Sequence, residues 1–332
     1  MWNGTKPSYI STYNQYIDKS KMVPVTMKKS DGTKETVLRP TFMQNLKFFI
    51  GYQCNHMYWR YFMWNFVGRQ NDIQGHGEIE NGNWASGIGF IDNARLGNQD
   101  NLPKSMSNSG HTEFYFLPLI LGLIGLFYHI KRDMKNSWVV FLLFFMTGLA
   151  IVIYLNQTRY QPRERDYAYA GSFYAFCIWI GFGLLGVVEM LQKFMKNKMA
   201  VAVVAFVLCL SVPTVMAASG WEGHNRSNKT AALDWGKNYL KNLPENAVIF
   251  TRGDNDTFPL WYVQEVEGYR TDVRVCNYML SSGYWYVHQM GRKQYESERL
   301  PLTLTPEQYD NGVNEPIFIN EVFDGPVELK DA

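Results

Sequence analysis

Four apolar stretches, 114–130, 138–155, 173–191 and 199–217, follow one another with almost no charge inside them; only Glu189 sits within one, near its end. Crossing about 30 Å of hydrocarbon takes about 20 apolar residues in a helix. Each stretch is near that length, and four buried helices of this kind in succession would be unusual in a soluble core. The first two are slightly short, which places Tyr128 and Tyr154 at the interface. A mean hydropathy of −0.24 looks soluble only because it averages these clusters with polar flanks. The expected fold class is therefore membrane α-helical, with four transmembrane helices, polar flanking regions and a C-terminal α/β domain. The expected division is a polar region at 1–113, a transmembrane region at 114–217 and a polar domain at 218–332.

Composition narrows the function classes. Aromatic residues make up 16% of the chain, which suits rings seated at headgroup level, although a large aromatic core would use them equally well. A net charge of +2 gives no electrostatic case for nucleic acid as a partner. None of Cys54, Cys177, Cys209 and Cys276 lies in a CxxC pair or a Cys/His cluster with metal-ligand spacing. Cys54 and Cys276 would pair only if the two polar regions met. The first ten residues lack an apolar signal core. The N-terminus is then either cytoplasmic or internal to a longer protein.

Along the chain, Asp31-Gly32 between β-prone runs predicts a hairpin with strands at 23–27 and 35–38. Residues 42–67 are densely aromatic but carry Lys47, Asn55, His56 and Arg60. This favours an interfacial helix that snorkels Lys47 and Arg60, with a soluble core helix as the alternative. The Gly-, Asn- and Ser-rich stretch 68–112 reads as a long loop, and Trp59, Trp64 and Trp84 beside or within it argue against disorder. The loops 131–137, 156–172 and 192–198 carry three basic residues each. The first and third are short and the second also holds Glu164 and Asp166. The positive-inside rule thus leans toward 131–137 and 192–198 in the cytoplasm, with 156–172 and both flanks on the other side. In 218–332 the expected order is helix 230–243, strand 247–250, loop 252–257, helix 259–267 with Pro259 in its first turn, and strand 272–277. That order implies a parallel strand pair.

Three places could carry chemistry. The loop 156–172 has Arg159, Arg163 and Arg165 within seven residues, and guanidinium forks grip phosphate oxygens in pairs. A lipid-linked phosphate is a natural ligand at that depth, and a self-satisfied salt-bridge cluster is the competing account. Asp254 and Asp256, between a strand and a helix, could hold a divalent cation with a sugar phosphate, which makes such a cation a candidate cofactor. Asp256 or Thr257 capping the following helix is the favoured account. Asp72, with Arg69, His76 and Glu78, could line an acceptor groove, but a plain surface loop fits as well. No phosphate-binding P-loop, Ser/His/Asp order or zinc motif is present.

The strings YQPRERDYAYAGSFYAFCIWIG, AVIFTRGDNDTFPLWYVQEVEGYRTDVRVCNYML and NLKFFIGYQCNHMYWRYFMWNFVGRQNDIQGHGEI resemble a family of large bacterial multi-pass membrane proteins, formerly of unknown function. That family is similar to type C glycosyltransferases and to eukaryotic protein O-mannosyltransferases. The resemblance implies transfer of a sugar from a polyprenyl-phosphate carrier to a protein or glycan acceptor outside the cytoplasm. The setting would be the bacterial inner membrane, with lipid around the spans and both flanks periplasmic. It also implies that the chain is an internal or C-terminal fragment without the catalytic acid, so no residue here receives that role. Arg159, Arg163 and Arg165 would contact the donor phosphate, with Glu164 and Asp166 supporting them. Asp254, Asp256, Trp261 and Asp72 would serve acceptor or interdomain contacts. The alternative is a non-catalytic transport or assembly protein whose periplasmic domains bind a partner. A transporter should keep ionisable groups inside its spans, and these spans hold almost none.

Overall fold

The computed structural model describes residues 16–28, 32–99, 102–103, 106, 108–157, 165–310 and 312–313. The chain divides into two compact units, 1–225 and 226–332.

The first unit begins with the expected hairpin, β1 (Val23–Lys28) and β2 (Lys34–Arg39), paired antiparallel from Val23↔Arg39 to Lys28↔Lys34. Then α1 (Phe42–Phe48) starts on a capping box in which Thr41 accepts from the Gln44 amide and Gln44 returns a bond to the Thr41 amide. It runs on through a π-helical stretch, Phe49–Trp59, into α2 (Arg60–Phe66). π-Helix is rare and wider than α, so eleven residues of it rotate the side chains that follow relative to an α register.

Where an interfacial helix is expected, this segment is instead packed against protein. Tyr52, Tyr58, Tyr61 and Trp64 form a core with Val152 and Tyr169, and Phe62 and Phe66 pack on Phe176 and Trp179. Arg60 does not snorkel: it is 6% exposed, donates to the His56 and Gly82 carbonyls, and lies over the Tyr61 and Trp64 rings. Lys47 does remain exposed. The covering layer is the stretch 68–112. Its ends zip as β3 (Gly68–Arg69) against β4 (Thr112–Glu113), and it contains a short α3 (Gly89–Leu96). Gly68 sits at φ +134°, where a Cβ would fall 2.4 Å from the Ala85 and Thr112 carbonyl oxygens, so the closure needs glycine.

The apolar helices follow: α4 (Leu117–Arg132), α5 (Met134–Met146), α6 (Leu149–Leu155), α7 (Ala170–Leu191) and α8 (Lys198–His224). Among the described residues, three helical segments, Met134–Leu155, Asp166–Leu191 and Lys198–His224, are long and apolar enough to cross a membrane. Only 11%, 28% and 17% of their apolar windows are buried inside the protein. Water would penalise so much outward apolar surface, and hydrocarbon would not. The fourth expected span falls short, because α4 has 16 residues and rises about 24 Å. It lies tightly against α7 through glycines. A Cβ on Gly125 would sit 1.7 Å from the Trp179 carbonyl oxygen, and one on Gly183 would sit 2.4 Å from that of Leu121. Small residues that let helix backbones meet are how helices associate where no hydrophobic force separates lipid from protein. Glu189 accepts from Lys131 at 2.8 Å and Arg132 at 3.1 Å, tying the ends of the two helices together.

In the second unit, α9 (Ala231–Lys241) precedes a β–α–β crossover of β5 (Val248–Thr251), α10 (Asp254–Glu265) and β6 (Arg274–Asn277). The strands pair in parallel, Val248↔Arg274 through Thr251↔Asn277, as their order along the chain predicts. Leu240, Leu260, Val263, Val273 and Val275 fill the core between helices and sheet. The segment 252–257, expected as a loop, is mostly the first turn of α10. Pro259 lies inside that helix and forfeits the bond its N–H would have made to the Asn255 carbonyl. Beyond the sheet come α11 (Tyr284–Met290) and the one-turn α12 (Pro306–Tyr309).

Candidate functional site

Of the arginine loop, Arg159, Arg163 and Glu164 lie outside the described residues, and its two ends are described. At one end, Asn156 closes α6 at φ +41°, a left-handed position that asparagine tolerates. Its Oδ1 accepts from Gln53 Nε2 at 2.9 Å, and the Gln157 carbonyl accepts from the Tyr52 hydroxyl at 3.2 Å. At the other end, Arg165 is exposed and its carbonyl accepts from the Ala168 amide, opening a 3₁₀ turn over Asp166–Tyr169. The Asp166 carboxylate accepts from the Tyr167 amide at 3.0 Å and makes no ion pair with Arg165. Buried Ser172 donates to the Tyr169 carbonyl at 2.8 Å and accepts from the Tyr58 hydroxyl at 3.2 Å. Burial pushes the Tyr58 hydroxyl up to about 12, so it stays protonated and donates.

Both ends of the loop are thus held by one element, the π-helical stretch, through Tyr52, Gln53 and Tyr58. Among the described residues, Gln53 Oε1 and Gln157 Oε1 are buried acceptors without a donor. Buried acceptors of this kind are uncommon and are the polar groups left over where the loop meets the π-helical stretch. Sequence reasoning passed over this layer. Its one signal is Gln53 and Asn55 set among aromatics, polar residues that a purely apolar helix would not carry.

The stretch 68–112 uses its polar residues on itself. Buried Asn71 donates to the Glu80 carbonyl and accepts from the Gly82 amide, while Gln70 donates to the Ile79 carbonyl and to Gln99. Buried Asp92 accepts from the Ser86 and Gly87 amides. Glu78 accepts from the His76 amide at 2.6 Å. Asp72 is exposed and makes no hydrogen bond among the described residues.

In the second unit, Asp254 and Asp256 lie at the carboxyl end of β5, where open α/β sheets commonly receive ligands. Asp256 is the third residue of α10 and accepts from the Arg252 amide at 2.7 Å and the Gly253 amide at 2.8 Å. Those amide bonds, with Arg252's first, hold its carboxyl below the usual carboxylate range. Asp254 is exposed, with neither a hydrogen bond nor an ion pair among the described residues. Behind them Thr251, Thr257 and Asn277 form a buried hydroxyl–amide cluster, with Thr251 and Thr257 oxygens 2.7 Å apart and Asn277 Nδ2 donating to Thr257 at 2.8 Å. Trp261, half-buried, lines a separate cavity of this unit beside Phe258 and Arg274. Among the described residues no group of three or more His, Cys, Asp or Glu converges as a metal site. All four cysteines are free, and Cys54 and Cys276 fall in different units.

No curated protein and no solved structure matches the chain. Its residues 232–332, nearly the whole second unit, match the family described as TMEM260-associated domain 2.

Proposed function

We propose that this chain is part of a membrane glycosyltransferase that moves a sugar from a polyprenyl-phosphate carrier to an extracytoplasmic acceptor, with protein O-mannosylation as the form of that chemistry. The observation that carries the reading is the match of 232–332 to a TMEM260-associated domain in the same chain as three apolar helices. It fits the resemblance to type C glycosyltransferases and protein O-mannosyltransferases carried by the three strings. In this reading the protein sits in the bacterial inner membrane with both polar flanks periplasmic.

The acceptor hydroxyl attacks the anomeric carbon, the bond to the carrier phosphate breaks, and a carboxylate outside the residues assigned here takes the hydroxyl proton. Arg159, Arg163 and Arg165 neutralise the charge growing on the departing phosphate, with Glu164 and Asp166 beside them. The anchoring of both loop ends on Tyr52, Gln53, Tyr58 and Ser172 supports this, since phosphate contacts must be held in place to favour a transition state. Asp254, Asp256, Trp261 and Asp72 are assigned to acceptor or interdomain contact.

The test is sugar transfer from a polyprenyl-phospho-sugar by the full-length protein in proteoliposomes, comparing wild type with the double variant Arg163→Ala/Arg165→Ala. A fall of roughly 100-fold is expected for loss of such contacts. Undiminished transfer by a correctly inserted double variant overturns the phosphate assignment.

A further inference from the structure

A cavity of about 430 Å³ lies wholly within the second unit, between α10, β6, α11 and the segment after it. That volume falls in the roughly 300–1,000 Å³ range of small-molecule sites. Three of its aromatic rings stand open to solvent, Phe258 at 51%, Trp285 at 53% and Tyr295 at 57% exposed. The rings are braced. Trp285 packs edge-on against buried Tyr286 at 5.5 Å, and its Nε1 lies 2.8 Å from where a Cβ on Gly283 would be, so glycine there makes room for it. Phe258 lies 5.5 Å from Trp261 with the ring planes 32° apart.

The polar groups of the cavity limit what it can hold. Glu265 is held by the Tyr295 hydroxyl and by Gln294 Nε2 at 3.4 Å. Gln264 donates from Nε2 to the Arg270 and Val273 carbonyls, which leaves its Oε1 as an acceptor. The amide of exposed Gln289 has no partner among the described residues. Arg274 is buried at the wall, but its donors already serve Ser297, Gln294 and the carbonyls of Arg292 and Glu298. An anion would therefore meet the Glu265 carboxylate and find the guanidinium engaged. A wholly apolar ligand would strip water from Glu265, Gln264 and Gln289 without replacing its bonds, which disfavours it. What satisfies both halves is a flat, neutral molecule with an apolar face and hydroxyls at its edge. A pyranose ring has this form, with C–H groups to lie on aromatic faces and vicinal hydroxyls to bond amides and carboxylates.

We propose that this cavity binds a neutral saccharide. The proposal does not depend on the transfer reaction, because binding is read without a donor substrate. A binding failure and a transfer failure are thus separate results.

The experiment titrates the full-length protein in nanodiscs with methyl glycosides of mannose, glucose, galactose and N-acetylglucosamine and with their disaccharides. Saturation-transfer NMR is the readout and empty nanodiscs the control. At least one sugar should bind saturably, with Kd in roughly the 0.1–10 mM range. Trp285→Ala should weaken it at least about 10-fold, whereas Trp285→Tyr, which keeps a ring, should stay within about 3-fold. Gln289→Ala, at an exposed position, should weaken it measurably and carries the test if Trp285→Ala misfolds. The proposal is overturned if no saccharide binds the folded wild type, if Gln289→Ala and folded Trp285→Ala both bind as wild type does, or if inorganic phosphate displaces the sugar.

Discussion

Tyr169 and Trp285 both stand beside short turns, yet Tyr169 is fully buried and Trp285 is half in solvent. The contrast extends to their units. In residues 16–225 most rings of the 52–66 segment are buried against one another and against α7, while the apolar helices turn both aliphatic and aromatic surface outward, Leu142 and Val207 as well as Phe127, Trp138 and Phe206. In the second unit a small aliphatic core lies between helices and sheet, and several rings stand open beside amides and a carboxylate around a cavity. The difference follows from the surroundings each surface is suited to. Lipid accepts apolar surface of either kind without penalty, so outward rings on the apolar helices need no ligand to cover them. Water does not, so open rings braced around a polar-edged cavity suit a ligand.

The largest expected break in this comparison is at Gly125. Gly125→Leu forces α4 off α7, because even a Cβ meets backbone at 1.7 Å. A loss of about 3 kcal/mol is expected, read as a fall in Tm of the detergent-solubilised protein. Gly181→Ala, where a Cβ meets nothing within 4 Å, should leave Tm unchanged or raise it slightly, since alanine is the better helix former. If both variants behaved alike, the packed helix pair would not be the source of stability.

In the second unit, Arg270 donates to the Leu240, Leu243 and Pro244 carbonyls at the end of α9 and forks onto Asp272 at 2.8 and 2.9 Å. Arg270→Ala should cost this unit about 2 kcal/mol and speed hydrogen exchange across 231–277 without altering 117–191. The same fork lowers the Asp272 carboxyl from 3.8 to about 2. Its contribution is present above pH 4 and lost as pH falls through 4 toward 2, so Asp272→Asn should flatten that part of the acid-unfolding curve.

Gly236→Ala comes next. A Cβ there would sit 2.7 Å from the Pro259 carbonyl and 2.6 Å from Val263 Cγ2, which should outweigh alanine's better helix propensity. A net loss of about 1 kcal/mol is expected, visible as faster exchange in 231–265 alone. The smallest effect is expected from Tyr58→Phe, which removes one bond to Ser172 at the foot of the arginine loop. It should cost about 0.5 kcal/mol of stability, because Ser172 keeps its bond to the Tyr169 carbonyl. If the loop positions a phosphate, it should also lower sugar transfer by more than that loss explains.

Much of this organisation was legible in the residues. Apolar length marked three helical segments long and apolar enough to cross a membrane, though it also marked 114–130, where the helix is shorter; Asp31-Gly32 marked the hairpin, and the helix–strand order marked the parallel pair. The start of α10 was not. Gly253-Asp254-Asn255-Asp256 reads as a turn, and Pro259 reads as a first-turn residue. Asp256 can cap the helix from inside its first turn, however, and Gly236 lets the α9 backbone approach the Pro259 carbonyl. Arg60 was misplaced for a similar reason. Its burial depends on Gly82, which is 22 residues away and folds over it. Trp261 was singled out, but its cavity partners Trp285, Gln289 and Tyr295 were not, since only the crossover brings α10 beside α11.

By itself the sequence determined what is local and additive: which helices are apolar enough for a membrane, where turns fall, and which strands run parallel. These follow from summed transfer energies and short-range backbone preferences. Only the tertiary structure decided which polar groups meet. Tyr52 reaches Gln157 across 105 positions and Tyr58 reaches Ser172 across 114. Such pairings depend on the shape of every element between them, and no window along the chain contains it.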